Sequence, residues 1–161
     1  MFFRKKSPLP QVGAPAPGFR LPRLGGGEEA LGDLAAAGPV LLAFFKISCP
    51  VCQMTLPFLE RIHAAGGLRV FGISQNDASD TREFAAEYDL RFPMLLDPED
   101  RFPASNAYGI SHVPTLFLVE PDGTVGRVIE GWNRQEILWA GARAGVNPIH
   151  AGESVPEFRA G

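Results

Sequence analysis

The sequence feature that most constrains the fold is a run of six apolar residues, Val40–Phe45, which leads within a few positions to two cysteines. An unbroken apolar run of this length is typical of a strand that is buried on both of its faces. Such a strand needs other elements packed over each side of its sheet. We therefore expect Val40–Phe45 to be the central strand of a layered α/β fold.

The residues that follow alternate between helical and strand patterns. Leu56, Leu59 and Ile62 fall at helical spacing after the cysteines, and the glycines at 66 and 67 mark the end of that helix near residue 65. Alternation of this kind predicts βαβ units in a central mixed sheet that is flanked by helices. The other predicted elements are strands at 68–73, 94–96, 115–119 and 124–129, and helices at 80–88, before Tyr108, and at 134–144.

The segments near the two ends of the chain have less regular patterns. Prolines in residues 13–22 forbid a helix, so we predict an extended edge hairpin in this segment. A short helical patch is predicted after it, at 28–37. A length of 161 residues is about one domain, and we expect a single domain over 1–161. Residues 1–12 and 148–161 are expected to be flexible tails, although the second has the alternative of folding back through Phe158.

Composition and charge exclude several classes of protein. With 45% hydrophobic and 20% charged residues, the chain has the composition of an ordinary globular protein. A net charge of −3 gives no electrostatic basis for binding nucleic acid. No stretch approaches the roughly 18 apolar residues of a membrane span, and residues 1–8 lack the apolar run of a signal peptide. We expect a cytoplasmic monomer, with an exported form as the alternative.

Both cysteines of the chain lie in the motif Cys49-Pro50-Val51-Cys52, where the predicted central strand passes into a helix. The N–H groups and the dipole of a helix N-terminus favour a thiolate, which makes Cys49 the predicted nucleophile. Two intervening residues allow Cys52 to reach the first sulfur and to resolve a mixed disulfide. Pro50 suits the first helical turn. An incidental cysteine pair is the alternative, whereas a structural zinc site would need four ligands.

Two segments, residues 44–57 (FFKISCPVCQMTLP) and 109–119 (GISHVPTLFLV), resemble the thioredoxin superfamily. The resemblance implies a thioredoxin fold and a thiol–disulfide oxidoreductase that exchanges a disulfide of the two cysteines with protein or small thiols. It also implies a cis Val113–Pro114 bond, with the Val113 backbone pairing with a bound polypeptide. The implied partners are a thiol- or disulfide-containing protein substrate and an upstream redox partner, with no cofactor beyond the redox-active disulfide.

Residues 13–26 (GAPAPGFRLPRLGG) and an extra βα segment at 72–102 resemble the branch of TlpA-like reductases and AhpC/TSA-related redoxins, which includes the peroxiredoxins. Peroxiredoxins place Thr or Ser three residues before the peroxidatic cysteine and Arg in the later loop, where this chain has Lys46 and Pro114. A peroxiredoxin-like peroxidase is therefore only an alternative. Thioredoxins and TlpA-like proteins place carboxylates at positions that Ala43 and Thr55 occupy here. The sequence therefore does not identify the group that takes the proton from Cys52.

A copper-binding factor is an alternative from another class of function. The Sco-like branch of this fold uses a cysteine pair and a later histidine, and His112 has a similar position, two residues before the loop proline. Thiolates and imidazole together suit copper. That branch resembles CxxxC, whereas this chain has CxxC, so we expect no metal. Lys46, Pro50 and His112 are instead expected to tune the cysteine pair, Lys46 and His112 through their electrostatics and Pro50 by stiffening the approach between the two sulfurs.

Overall fold

A five-stranded mixed sheet flanked by helices organises residues 7–161, the part of the chain that the computed structural model describes. Two short two-stranded sheets lie beside it. The elements, in chain order, are β1 (Arg20–Pro22), β2 (Glu28–Ala30), α1 (Leu31–Ala36), β3 (Val40–Phe45), α2 (Pro50–Ala64), β4 (Arg69–Ser74), α3 (Ala78–Glu87), β5 (Met94–Leu96), α4 (Pro103–Ala107), β6 (Thr115–Val119), β7 (Val125–Glu130), β8 (Trp132–Asn133), α5 (Arg134–Ala144) and β9 (Phe158–Arg159).

Strand β3 is the central strand, as predicted, in the order β5-β4-β3-β6-β7. It runs parallel to β4 and antiparallel to β6, and all six of its residues are fully buried. Burial of each large apolar side chain stabilises the fold by about 1.5–3 kcal/mol. The βα insertion predicted in residues 72–102 supplies α3 and the edge strand β5, which is parallel to β4. The predicted mixed sheet with flanking helices is confirmed.

Helix α2 follows β3 and carries the second cysteine. Cys49 is its N-cap residue, and Pro50 is its first residue, a position where a missing N–H costs no helical hydrogen bond. Pro57 lies inside the helix, whose buried face includes Leu56 and Leu59 and packs against β4 and α5. At 15 residues α2 is the longest helix in the described part of the chain, and none there is long and apolar enough to span a membrane.

An antiparallel hairpin is present near the N-terminus, but the predicted boundaries, residues 13–22, are wrong. Strand β1 pairs with β2, with Arg20 opposite Ala30. The glycines at 25–27 all have positive φ and form the turn, a conformation that glycine adopts without steric cost. Prolines limit the residues before β1 to one isolated bridge, between Pro15 and Thr124. The helical patch accordingly begins only at Leu31.

Residues 7–12, at the start of the described part, include a segment that lies against α4. Ser7 donates its N–H to the carbonyl of Asn106 at 3.3 Å. The backbone of residues 7–9 is so close to Gly109 that any side chain at position 109 would overlap it. Residues 1–6 of the tail predicted at 1–12 lie outside the described residues.

Residues 148–161 fold back over the domain, which is one of the two alternatives that the sequence leaves open. Strand β9 in this segment pairs with β8. The Arg61 guanidinium donates to both carboxylate oxygens of Glu153, at 2.6 and 2.9 Å, and to the Pro148 carbonyl at 2.7 Å. The hydrogen bonds from Arg61 hold the pKa of Glu153 near 2. The start of the segment is thereby fixed to α2.

Helix α4 is held by a buried carboxylate. Asp97 is fully buried, and its two oxygens accept the backbone N–H groups of Ala104 and Ser105 at 2.9 and 2.8 Å. N–H groups in a first helical turn have no partner within the helix. The Ser105 carbonyl in turn accepts the N–H of Ile110 at 2.9 Å. Asp97 therefore positions both α4 and the loop that runs from Ile110 to β6.

Replacing Asp97 with Asn should lower the free energy of unfolding by about 1–3 kcal/mol, because an amide offers one acceptor oxygen and leaves a buried N–H unpaired. Urea denaturation measures this loss. Asp100→Asn is the matched control in the same turn, since the Asp100 side chain is 70% exposed and pairs only with Arg101, at 3.5 Å. We expect the control to change stability by less than about 0.5 kcal/mol. Equal losses in both variants would contradict the capping role.

Candidate active site

The Cys49 thiol lies at the point where β3 gives way to α2. Its sulfur accepts the backbone N–H of Cys52 at 3.2 Å, as the cap of the helix. Its S–H donates to the carbonyl of Val113 at 3.4 Å, and the residue is partly exposed. Helix N-terminal N–H groups stabilise negative charge on a sulfur in such a position. The geometry therefore offers an accessible sulfur whose anionic form the helix supports.

The Cys52 thiol differs from Cys49 in exposure and in protonation. Cys52 is fully buried in the core, and both cysteines are free thiols in this structure. Burial raises the pKa of the Cys52 thiol, and its hydrogen bond with Cys49 raises it further. A raised pKa means that Cys52 holds its proton at neutral pH. The pair therefore combines one accessible sulfur with one buried, protonated sulfur.

The loop that carries Cys49 is fixed by two amide side chains. Ile47 donates its N–H to Oδ1 of Asn76 at 3.0 Å, and Gln53 Nε2 donates to the Ile47 carbonyl at 2.9 Å. The Cys49 N–H donates to the Lys46 carbonyl at 3.3 Å. These bonds satisfy backbone groups that lie outside a strand or a helix. Sequence reasoning missed Asn76 and Gln53, and no motif marks them, because their role depends on tertiary contacts.

Lys46 and Pro50, which were predicted to tune the pair, are both exposed beside it. Pro50 opens α2 directly after Cys49. Lys46 borders a cavity of about 180 Å³ whose wall also includes His112 and Val113. Burial is the largest influence on the pKa of the Cys52 thiol and outweighs the opposing effect of the Lys46 charge. Lys46 thus lies close enough to act on the pair without controlling it.

The loop before β6 brings Val113 and Pro114 into the same site as the cysteines. The Val113–Pro114 peptide bond is cis. The Val113 carbonyl accepts the Cys49 S–H, and the Pro114 carbonyl accepts the N–H of Gly131 at 2.8 Å. Both residues are buried. Four of the residues predicted from the sequence, the two cysteines and this dipeptide, therefore meet in one place.

The His112 imidazole has partners outside the cysteine pair. Its Nε2 lies 3.3 Å from Oε1 of Glu130, and its Nδ1 lies 3.1 Å from the Ser111 hydroxyl. Within residues 7–161, no three His, Cys, Asp or Glu side chains are gathered so that they could hold a metal ion. The structure thus does not join His112 to Cys49 and Cys52 as a ligand set. Sequence reasoning missed Glu130, since nothing in its position at the end of β7 marks this contact.

A further neighbour of the site comes from the end of the sequence. Gly161 packs directly against the Val113 carbonyl, and a side chain at position 161 would overlap that oxygen. The sequence allowed this segment to fold back through Phe158, but nothing in the sequence indicated that it would reach the cysteines. A two-residue strand such as β9 has no periodic pattern by which a sequence could reveal its partner.

Comparison with known sequences identifies relatives over most of the chain. A profile described as the AhpC/TSA family matches residues 12–128. The thiol-disulfide oxidoreductase ResA of Geobacillus thermodenitrificans is 31% identical over 139 residues, which cover 84% of this chain and 78% of that protein. The resemblance predicted from the sequence motifs is confirmed, and the predicted enzyme class agrees with the name of this relative.

Solved structures with 20–25% identity show the same fold. The thioredoxin domain of a thiol-disulfide oxidoreductase of Bacteroides vulgatus has a TM-score of 0.72 and 22% identity, over 85% of this chain and 99% of that one. The peroxidoxin BcpB of Mycobacterium tuberculosis has a TM-score of 0.69 and 21% identity, over 84% and 97%. The predicted thioredoxin fold is confirmed, although the fold by itself does not select one chemistry. Because the family profile spans more than half of its residues, the chain belongs to the AhpC/TSA family.

Proposed function

We propose that this chain is a thiol–disulfide oxidoreductase in which Cys49 is the attacking thiol and Cys52 is the resolving thiol. The observation that carries the proposal is the geometry of the pair. The partly exposed Cys49 sulfur lies 3.2 Å from the Cys52 N–H at the start of α2, while the Cys52 thiol is buried. Curated relatives that are about 30% identical to this chain carry the name of this activity.

Exchange consists of two displacements at sulfur. The Cys49 thiolate attacks one sulfur of a substrate disulfide, forms a bond to it, and expels the other sulfur as a thiolate. Cys52 then loses its proton and attacks the Cys49 sulfur, which releases the second substrate thiolate and forms the Cys49–Cys52 disulfide. Two electrons pass from the dithiol to the substrate. A dithiol of an upstream redox partner restores the reduced pair by the same two displacements.

The second displacement depends on how Cys52 loses its proton. Burial raises the pKa of this thiol, so its direct ionisation is unfavourable at neutral pH. Thr55 is close to it in the helix, but its hydroxyl donates to the Val51 carbonyl at 2.7 Å, and Ala43 has no polar group. The substrate thiolate expelled in the first step, or water, then takes the proton. Resolution is expected to be slower than it would be with a carboxylate nearby.

The Val113 backbone is the proposed contact for a polypeptide substrate. Its carbonyl faces the Cys49 thiol, and its side chain is apolar, so the polar groups that it can offer next to the sulfur are those of its backbone. Strand-like pairing of this kind gives affinity through main-chain hydrogen bonds. Lys46 and His112 would adjust the electrostatics around the pair, and Pro50 would stiffen the approach between the two sulfurs. The protein substrate, the upstream partner, the monomeric state and the cytoplasmic location stay predictions.

No contact within residues 7–161 favours the copper or peroxide alternatives. The three ligands of the copper alternative, Cys49, Cys52 and His112, are not gathered into one cluster there. At the positions where peroxiredoxins carry a hydroxyl and a guanidinium, this chain has an exposed Lys46 and a buried Pro114. Disulfide exchange is therefore the function that the geometry supports best.

Alkylation of the reduced protein at pH 7 should modify Cys49 at least about tenfold faster than Cys52, because thiolates react and burial raises the pKa of the Cys52 thiol. The Cys52 rate should rise steadily with pH, since more of this thiol then ionises. Iodoacetamide labelling followed by peptide mass spectrometry measures both rates in one sample. Cys49→Ser is the control, because it reports the rate of Cys52 alone. Faster labelling of Cys52 would reverse the two roles.

Cys52→Ser should accumulate a mixed disulfide between Cys49 and a disulfide-containing polypeptide, because the variant keeps the attacking thiol and lacks the resolving one. Oxidised insulin serves as the polypeptide, and non-reducing electrophoresis with mass spectrometry identifies the adduct. The control is the double variant Cys49→Ser/Cys52→Ser, which should form none. An adduct that forms as readily in Cys49→Ser would show that Cys52 attacks substrates by itself.

A further inference from the structure

Residues 157–161, here called the strap, run across the face that carries the Val113–Pro114 loop. Strand β9 in the strap pairs with β8, where Arg159 lies opposite Trp132. Gly161 packs against the Val113 carbonyl so closely that a Cβ at position 161 would overlap the oxygen, and this Cβ would lie 3.2 Å from the Pro114 nitrogen. The strap therefore crosses the loop at the residue that the proposed function assigns to substrate pairing.

The carbonyl that the strap covers is also the one that accepts the Cys49 S–H. The distance from the Cys49 sulfur to the Val113 oxygen is 3.4 Å. Gly131 extends the covered face, since a side chain at 131 would overlap the Arg159 carbonyl of the strap. Gly161 of the strap fills the space next to the Val113 carbonyl, so a polypeptide that approached this carbonyl from the same side would overlap the strap.

We propose that the strap is an intramolecular cover that occupies the place of a polypeptide substrate and has to leave before one binds. The inference rests on the proposed function, because it concerns access to the same site. Cys49 is partly exposed while the strap is in place. Small disulfides therefore reach the sulfur with the strap bound, whereas polypeptide disulfides do not. The strap makes the enzyme selective by the size of its substrate.

Residues 158–161, the tip of the strap, are held weakly. Residues 153–156, just before the strap and here called its base, are held firmly. All five residues of the strap are exposed, and β9 is two residues long. The Glu157 carbonyl accepts the Arg134 N–H at 2.9 Å, and the Glu157 carboxylate, 76% exposed, lies 3.7 Å from the Arg134 guanidinium. Exposed ion pairs of this kind contribute little. The tip can therefore detach without disturbing the core.

The base of the strap is held in place by two side chains. Trp132, which is fully buried against Phe58, donates its indole N–H to the Pro156 carbonyl at 2.6 Å. Arg61 binds Glu153 through two hydrogen bonds, as described above. A firm base next to a loose tip places the point of bending near residue 156. After detachment the tip remains tethered near the site and competes with substrates for it.

Gly161→Val tests the proposal in the full chain, because the new side chain overlaps the Val113 carbonyl unless the strap moves away. The reduced protein is mixed in single turnover with oxidised insulin or with the small aromatic disulfide DTNB, and formation of the Cys49–Cys52 disulfide is followed. We expect the insulin rate to rise at least about threefold and the DTNB rate to stay within about twofold of the parent rate. When a larger fraction of the protein has its strap detached, only the reaction with insulin becomes faster, because only insulin needs the space that the strap occupies.

Two further variants separate displacement of the strap from other effects. Phe158→Ser removes the strap side chain that lines a cavity with Val128 and Ile129, and should raise the insulin rate in the same way. Gly18→Val is the matched control, since a Cβ at this exposed glycine meets open space and should change neither rate. Thermal melting confirms that all three variants fold.

If insulin reacted at the same rate in the parent and in all variants while DTNB reacted normally, the proposed role of the strap as a cover would be wrong. The proposed function would remain intact. Parallel changes of both rates in Gly161→Val would show that the Val113 loop moves instead, and would also count against the strap. If neither probe produced a Cys49–Cys52 disulfide in any of the proteins, the proposed function would fail and the strap would fail with it.

Discussion

Burial of β3 on both faces is the constraint on which the rest of the site depends. Six fully buried residues hold this strand at the centre of the sheet, and only residues 46–48 separate its end from Cys49. The buried face of α2 packs against β4 and α5, which fixes the direction in which the helix leaves the strand. The start of α2 cannot shift without exposing apolar surface on one of the two elements. The position of the reactive sulfur is therefore a consequence of core packing.

One helical turn creates the difference between the two thiols. The first cysteine caps α2 and remains partly exposed, while the second, three residues later, faces the core and is fully buried. Burial then raises the pKa of the Cys52 thiol, so this sulfur holds its proton at neutral pH although the two side chains are chemically identical. The division between an attacking and a resolving thiol follows from the orientation of the helix. It requires no further residue type in the motif.

The other half of the site is assembled from distant parts of the chain. The Val113 carbonyl faces a cysteine that is 64 positions earlier in the sequence. Asp97 fixes α4 and the loop behind it, and Gly131 holds the far side of that loop through the Pro114 carbonyl. Gly161 of the strap packs against the Val113 carbonyl. The surroundings of the two cysteines are therefore built from segments that are far apart in the sequence.

Local patterns in the sequence were sufficient for the central strand, the helix after it and the CxxC motif at their junction, because each of these is encoded within a few neighbouring residues. The proline loop beside the cysteines was predicted from the resemblance to the thioredoxin superfamily. The N-terminal hairpin was displaced in the prediction, since prolines mark where a strand is disfavoured and do not specify which residues pair. The sequence allowed the final segment to fold back through Phe158, but nothing in it indicated the contact of Gly161 with Val113 or the bond of Asn76 to Ile47, which is 29 positions away. Only the tertiary structure decides such contacts, because hydrogen bonds and close packing between distant segments depend on how the whole core folds, and no local period records them.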